Sequence, residues 1–338
     1  MTPYYSQYTD AWSVQYYEFR DGNGTEYHLD ETDGAGGWYS KESAYVSYDS
    51  NTQRLYFNDG SFWVFGCVSS SAEPDAGTMY PTLLEDSNGN QISISYEAGQ
   101  LNEYNSNSSS RIEYIDDVRD ANYNNTYTFR YTNVNGAPHL SEIDNSVGED
   151  SYSFSYSEVP LASPFSGSGS YGTTDTLSSI TSANANLTTS FSYDSANSGE
   201  LLKAAFPYGG SIRWEFETVP YTGQGSQREV AARYLFWDSA IGERAYTLQR
   251  TGTDQTASRS VTDQNANSTK TWNFTPGQVL VASVTQGPAG GSPLDETNYS
   301  WAINGGGNAY VSRIQDIADP GTPQSVTRQV DQAEDQYG

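Results

Sequence analysis

The 338-residue sequence has little cysteine, histidine or positive charge, and each shortage excludes a class of protein. The single cysteine, Cys67, rules out an intrachain disulfide, and we interpret it as a small buried residue beside Phe65. The two histidines, His28 and His139, argue against a zinc site and against a Ser/His/Asp triad. No spacing places either histidine beside a nucleophile and an orienting carboxylate. The sequence therefore predicts no catalytic residues.

The charge balance is strongly acidic, with 16 basic against 42 acidic residues and a formal net charge of −26. Such a chain repels the phosphates of nucleic acids and anionic lipid headgroups, so neither is expected as a partner. No stretch approaches the roughly 18 apolar residues of a membrane-spanning helix, so membrane insertion is not expected. The acidity favours an exported or cell-surface setting. Residues 1–5 lack the pattern of a signal peptide, which suggests a mature form or a fragment of a longer protein.

Aromatic residues replace the scarce aliphatic ones, with 28 tyrosines, 12 phenylalanines and 7 tryptophans. Each can bury roughly 150–250 Å². They alternate with polar residues in short runs, and segments rich in Gly, Asn, Asp and Ser separate the runs, as turns require. This pattern predicts an all-β protein with little helix.

A two-strand pattern recurs along the chain: an apolar strand, a polar turn, then a strand of alternating aromatics. Residues 111–116 lead to 127–131, 140–144 to 152–156, 177–181 to 189–193, and 201–206 to 212–216. A two-strand unit cannot bury an aromatic face alone, so the recurrence predicts an elongated array of stacked β-hairpins. We expect its core to contain Tyr96, Phe129, Tyr131, Phe154, Tyr156, Phe191, Tyr193, Trp214 and Phe216.

The composition suggests four regions. They are an N-terminal β-hairpin region at 1–70, expected to belong to the same sheet, a polar connector at 71–81, regular repeats at 82–217, and more degenerate repeats at 218–338 that stop inside a unit. Residues 160–174, rich in Gly, Ser and Pro, are expected to form a loop outside the stacked core. Residues 227–235 fit a short helix or a strand equally well.

Two acidic turns, at 21–26 and 86–90, place several oxygen atoms close together, as calcium-binding loops do. The candidate ligands are Asp21, Asn23, Asp86 and Asn88. Neither turn has a complete loop with a bidentate Glu at its twelfth position, and hairpin turns that require positive φ are the alternative. No other metal or cofactor is expected.

The repeats resemble the Rhs or YD-repeat family, which includes bacterial polymorphic toxins, insecticidal toxin-complex shells and the animal teneurins. Residues 86–96 resemble the acidic Gly-Asn hairpin of that family. Residues 96–101 resemble its Tyr-Asp-x-x-Gly-Arg-Leu signature, with Glu97 in place of Asp and Gln100 in place of Arg. Tyr193-Asp194, followed by Gly199-Glu200-Leu201, is a stretched version of the same signature.

The resemblance is best over residues 83–217, where 206–212 resembles the strand-turn-strand linkers of the family. Residues 335–338 resemble the opening of one more unit. The resemblance implies a spiral of β-hairpins forming a hollow shell or tube. Flanking repeats or other copies of the chain would be its partners, with a polypeptide enclosed. The self-cleavage motif Asp-Pro-x-Gly-Leu has no match, since 319–321 lacks the continuation, so the resemblance does not extend to autoproteolysis or a toxin here.

The sequence therefore predicts a structural shell or tube segment of an exported or cell-surface bacterial protein, non-catalytic in itself. The alternative is a carbohydrate-binding or adhesive β module that uses exposed aromatics to bind a surface glycan. A glycan-active enzyme comes third, because it would need two carboxylates flanking a cleft, and sequence alone does not show such a pair.

Overall fold

The chain folds into antiparallel strands joined by turns. The computed structural model describes residues 1–8, 11–41, 45–98, 108–117, 127–146, 151–165, 169–194, 198–223, 225–305 and 307–333, and these residues contain 28 strands and no helix. The all-β prediction is confirmed, and 227–235 lies in a strand. Within the same ranges, no helix has the length and apolar character needed to cross a bilayer. Residues 335–338 and the Gly99–Leu101 part of the signature lie outside the described residues.

The strands fall into two compact units, residues 1–154 with 181–186 and residues 155–180 with 187–338. This division coincides with neither the connector predicted at 71–81 nor the boundary predicted at 217. The predicted boundaries followed changes in composition, whereas the units separate within the run of repeats, at 154/155 and between 180 and 187.

The first unit contains two sheets and a short ladder. Its strands are β1 (Thr2–Tyr8), β2 (Ala11–Arg20), β3 (Glu26–Leu29), β4 (Glu31–Thr32), β5 (Gly37–Tyr39), β6 (Val46–Asp49), β7 (Arg54–Phe57), β8 (Phe62–Val64), β9 (Cys67–Val68), β10 (Met79–Tyr80), β11 (Leu83–Glu85), β12 (Gln91–Ala98), β13 (Ser108–Asp117), β14 (Tyr127–Val134) and β15 (Ala137–Asn145). Strands β1–β3 form a three-stranded sheet, and β9 pairs with β10. The larger sheet has the order β4-β5-β6-β7-β8-β11-β12-β13-β14-β15.

The core of the first unit lies between these two sheets. Tyr17 and Phe19 of β2 are buried, with the Tyr17 ring 4.8 Å from that of Tyr48 and the Phe19 ring 6.2 Å from that of Phe65. Residues 1–70 were expected to belong to the same sheet as the repeats; β4–β8 do, whereas β1–β3 form a sheet of their own. Packing face to face buries the aromatic side of β2, whereas pairing edge to edge would leave it in water.

The second unit continues the antiparallel pairing in chain order. β16 (Tyr152–Ala162) and β17 (Ser170–Ser182) cross the division, and β18 (Leu187–Tyr193), β19 (Leu201–Ala205), β20 (Ser211–Tyr221), β21 (Gly225–Phe236), β22 (Glu243–Arg250), β23 (Arg259–Asp263), β24 (Ser268–Phe274), β25 (Val281–Pro288), β26 (Asp295–Ile303), β27 (Ala309–Ala318) and β28 (Val326–Asp331) follow. From β18 onward each strand pairs with the next. The loop predicted at 160–174 is largely strand, because β16 reaches Ala162 and β17 begins at Ser170, where Thr-rich sequence tolerates extended backbone.

Buried residues are few and small in the described part of the second unit, and each keeps 4–7% of its surface exposed. They are Val159, Ala204, Ser211, Val219 and Ala232. The larger aromatic side chains of its strands, such as Trp214, are half-buried. Its stability must therefore rest on contacts between side chains of neighbouring strands rather than on a closed core.

Candidate functional site

One structural irregularity recurs at the aromatic residue near the end of a second strand. The register with the following strand shifts at Tyr96, Tyr131, Tyr193, Phe216, Phe274 and Trp301. In each case the following strand has one extra residue just opposite, namely Glu113, Ser141, Leu202, Ala231, Ala282 and Ser312. Such a β-bulge bends the strand and redirects side chains. The repeat is therefore a hairpin with a bulge at a fixed aromatic position.

Four of these aromatics donate a side-chain hydrogen bond to an earlier backbone carbonyl, which lies in the preceding strand in three cases and just before β11 in the case of Tyr96. The hydroxyl of Tyr96 donates to the carbonyl of Pro81 (2.7 Å), Tyr131 to Ile112 (3.0 Å) and Tyr193 to Leu177 (3.0 Å), and the Trp301 Nε1–H donates to Val281 (2.8 Å). Two of the acceptors belong to an earlier bulge, because Ile112 faces Tyr96 and Val281 faces Phe274. The aromatic of one unit is therefore tied to the bulge of the unit before it.

Burial raises the pKa of the hydroxyl in Tyr96, Tyr131, Tyr156 and Tyr193. The cause is desolvation, because a phenolate loses more hydration than a neutral phenol when it leaves water. These hydroxyls are therefore neutral hydrogen-bond donors across the physiological pH range. These hydroxyls therefore fit a structural role as hydrogen-bond donors, not a role in proton transfer.

The nine aromatics predicted to form the repeat core are all half-buried in the structure. The prediction missed the bulge, and although it expected degenerate repeats at 218–338, it did not place Phe274 and Trp301 among the core aromatics. The sequence does contain a signal for that continuation: Trp272 and Phe274, and Tyr299 and Trp301, show the same aromatic-x-aromatic spacing as the earlier repeats.

The two turns predicted as calcium candidates hold their carboxylates against backbone amides. Oδ1 of Asp21 accepts from the N–H groups of Asn23 (2.8 Å) and Thr25 (2.9 Å), and Oδ1 of Asp86 accepts from Asn88 and Asn90, both at 2.8 Å. These bonds lower the pKa of both carboxyl groups. Other turns show the same arrangement, at Asp33, Asp49, Asp59, Asp238, Asp254 and Asp263. The carboxylates thus shape turns, and calcium binding stays a prediction.

The segment predicted as a connector is fixed to the first unit by buried polar contacts. The Glu73 carboxylate accepts hydrogen bonds from both terminal nitrogens of Arg111, at 3.0 and 3.1 Å, and the Glu73 side chain is only 8% exposed. Asp75 accepts the hydroxyl of Tyr80 at 2.5 Å. Burial, helped by that carboxylate, raises the pKa of Tyr80 to about 12. These contacts hold the segment in place and do not form a reactive group.

The single cysteine and the two histidines lie in different surroundings. Cys67 is buried and its Sγ donates to the carbonyl of Ser109 at 3.5 Å. His139 contacts the carbonyl of Ala137 at 3.0 Å. His28 lies on β3, where its ring nitrogen is near two carboxylates. Among the described residues this is the only such group of three potential metal ligands, formed with Glu18 and Glu26.

A cavity of about 250 Å³ opens on strands β20–β24 of the second unit. Its apolar lining includes Leu248, Val261, Trp272 and Phe274, and its charged lining consists of Glu217, Glu229, Arg250 and Arg259. The Arg250 side chain is 8% exposed, and its buried Nε has no hydrogen-bond partner. Glu217 and Glu229 are direct cross-strand partners. Aromatic and apolar walls with a few polar groups are typical of a site for a small ligand.

No family model matches the sequence, and no curated protein matches it. Nineteen solved chains match in structure. A chain of the crystal structure of TcdB2-TccC3-Cdc42 matches with a TM-score of 0.52 at 12% identity, over 98% of this chain and 16% of that chain. A chain of the crystal structure of TcdB2-TccC3-TEV is matched over 98% of this chain and 19% of that chain, with a TM-score of 0.27 at 8% identity, which carries no further weight. The present chain thus spans less than a fifth of either, and the first likeness is one of fold alone.

Proposed function

We propose that this chain is a wall segment of a Rhs/YD-repeat shell or tube from an exported or cell-surface bacterial protein, structural in role and non-catalytic in itself. The observation that carries the proposal is the bulged hairpin that recurs at six aromatic positions. A unit that repeats its geometry builds a continuous surface, as a wall requires. The fold likeness to a stretch of the TcdB2-TccC3-Cdc42 chain supports the same interpretation.

The geometry suggests how such a wall is held together. Each bulge adds bend and twist to the sheet at the same place in every unit. The polar head of the aromatic then fixes one strand to the next, as in the bond from Tyr131 to Ile112. The net charge of −26 disfavours aggregation and keeps nucleic acids and anionic membranes away. The expected partners are flanking repeats or other copies of the chain, with a polypeptide enclosed.

A low-resolution envelope of the full-length parent protein, obtained by electron microscopy or X-ray scattering, tests the proposal. The expected result is a hollow particle whose wall is about one sheet thick, on the order of 10 Å. A solid particle would contradict the shell. The non-catalytic part is tested separately by incubating the purified chain with mixed glycans and peptides. Turnover that disappears when one carboxylate is replaced would overturn it.

A carbohydrate-binding module is the second candidate, and the cavity on β20–β24 favours it. Trp272 and Phe274 offer aromatic rings, and the charges of its two arginines and two glutamates balance, which suits a neutral polyhydroxylated ligand. A glycan array tests this with Trp272→Ala, and Trp237→Ala serves as control because Trp237 is 50% exposed and outside the cavity. Binding that only Trp272→Ala abolishes would favour the module over the shell.

A glycan-active enzyme, the third candidate, would need two carboxylates that flank a cleft, and Glu217 and Glu229 line this cavity from neighbouring strands. Glu217→Gln and Glu229→Gln therefore belong in the activity assay. An enzyme would lose turnover in both variants, whereas a shell or a binding module would show no turnover to lose.

A further inference from the structure

The open face of the three-stranded sheet carries a mixed cluster of imidazole, carboxylate and guanidinium groups. Tyr17 and Phe19 point into the core, so the alternate residues of β2, including Glu18 and Arg20, lie on the opposite face. The register places Glu18 directly opposite His28 of β3, and Arg20 opposite Glu26. Residues from two strands are therefore brought to one point on this face.

The potential ligand atoms are close together. Nε2 of His28 lies 3.7 Å from Oε2 of Glu18. That nitrogen and one carboxylate oxygen from each of Glu18 and Glu26 all lie within 4.8 Å of one another. The side chain of Glu18 is 13% exposed and those of His28 and Glu26 are 49% and 47% exposed. Glu18 is thus fixed by its surroundings, while the exposed Glu26 side chain is free to adjust.

Aromatic stacking holds the imidazole in place. The ring of Tyr16 stacks on that of His28 with 5.5 Å between centroids and 14° between planes, and the ring of Tyr4 stacks on Tyr16 at 4.4 Å. The Tyr4 hydroxyl also donates to Oε2 of Glu18 at 3.3 Å. These contacts restrict the motion of the imidazole ring before a ligand binds. Less conformational entropy is therefore lost on binding.

We propose that Glu18, Glu26 and His28 bind one Zn²⁺ ion, with water completing the coordination. A neutral imidazole and two carboxylates suit zinc, whereas Ca²⁺ prefers oxygen ligands only. Zinc lies about 2.0–2.2 Å from such ligands, so tetrahedral ligand atoms are roughly 3.3–3.6 Å apart. Nε2 of His28 is already 3.7 Å from Oε2 of Glu18, so the main adjustment is an inward movement of Glu26 by up to about 1 Å, which its exposed side chain permits.

Arg20 occupies the place of the cation in this structure. Its guanidinium forms ion pairs with Glu26 and with Glu18, the latter at 3.5 Å, and its side chain is 60% exposed. The side chain can therefore leave the cluster for solvent when a divalent cation enters. Because Arg20 and zinc compete for the same carboxylates, removing the guanidinium should strengthen zinc binding, an effect opposite in sign to removal of a ligand.

Calorimetric titration of the whole chain with Zn²⁺ tests the proposal. The expected result is one site with a micromolar dissociation constant. His28→Ala and Glu26→Gln should weaken binding at least tenfold, and Arg20→Gln should strengthen it several-fold. His139→Ala is the matched control, since it removes the only other histidine and should change nothing. Ca²⁺ should give no comparable binding.

The imidazole resonances of His28 in an NMR titration give a second readout, independent of any change in stability. They should shift on zinc addition while those of His139 stay in place. The side chains of His28, Glu26 and Arg20 are 49%, 47% and 60% exposed, so a far-ultraviolet spectrum like that of the wild type is expected for each of these variants. Absence of a zinc site, loss of binding in His139→Ala, or no gain in Arg20→Gln would each overturn the proposal. None of these outcomes bears on the shell.

Discussion

Tyr131→Phe tests whether the polar head of a repeat aromatic stabilises the array. The substitution removes one oxygen and leaves the ring and the bulge in place. It deletes the 3.0 Å bond from the hydroxyl to the Ile112 carbonyl. A bond between neutral groups contributes about 0.5–1.5 kcal/mol net, and the half-buried carbonyl left behind retains partial access to water. We therefore expect the free energy of unfolding to fall by about 1 kcal/mol.

Tyr131→Ala also removes the ring. Full burial of an aromatic gives losses of about 3–5 kcal/mol on truncation to Ala, so a half-buried ring should give about 2 kcal/mol, with the loss of the hydrogen bond in addition. The measurement is urea unfolding followed by far-ultraviolet circular dichroism. Tyr127→Phe is the matched control, because Tyr127 lies on the same strand and is 40% exposed. It should change the free energy of unfolding by less than about 0.5 kcal/mol.

The pH dependence gives an independent check with a definite sign. Burial raises the pKa of Tyr131 above its ordinary value of 10.0, so the unfolded chain loses this proton first. The stability that the hydroxyl contributes is therefore fully present below about pH 10 and is lost as the pH rises through the pKa of the folded state. The difference between wild type and Tyr131→Phe should be constant from pH 6 to about 9 and shrink above about 10. Equal effects of the Tyr127 and Tyr131 substitutions would refute the reasoning.

Three further predictions concern the turns, the buried ion pair and the repeat core. Gly136→Ala should cost about 1–2 kcal/mol by urea unfolding, because Gly136 has φ of +90° next to Asn135 at +49° in the hairpin turn. Arg111→Ala should lower the free energy of unfolding by about 1.5–3 kcal/mol, since it removes the guanidinium that donates two hydrogen bonds to the buried Glu73 carboxylate; Arg111→Lys, with one charge retained, should cost less. Phe154→Ala should cost about 2 kcal/mol, because the ring is half-buried, and thermal denaturation showing a loss under about 0.5 kcal/mol would exclude a core position.

Much of the fold could be predicted because its signals are local. Alternation of aromatic and polar residues reports a strand directly, since successive side chains of a strand face opposite sides. Turns such as 86–90 are recognisable in the sequence because they contain residues whose side chains accept hydrogen bonds from nearby backbone amides, as Asp86 does. Residues 227–235 lacked such a signal, and pairing with both neighbouring strands decided in favour of β21.

The features that sequence missed depend on contacts between distant residues. A bulge is a relation between two strands, so nothing in Tyr131 itself reveals that Ser141 is the extra residue across from it. Strands β1–β3 form a separate sheet because they pack face to face on the larger sheet and do not pair with its edge. Both arrangements show the same alternation of aromatic and polar residues, so the sequence does not distinguish between them. The proposed zinc ligands were not predicted from the sequence for the same reason. Glu18 and His28 come together only through the register of β2 and β3.

The bulge also explains why the sequence repeats are so degenerate while the structural repeat is regular. The geometry needs an aromatic ring at the bulge, and Tyr96, Phe216 and Trp301 all meet that need. A donor on the ring adds a bond to the preceding strand, which Tyr and Trp provide and Phe does not. The residue that follows the aromatic has different partners in different units, since Glu97 pairs with Arg111 whereas Asp194 accepts from Ser198. The sequence motif therefore becomes less recognisable along the chain, whereas the strand pairing and the aromatic position at the bulge persist to Trp301.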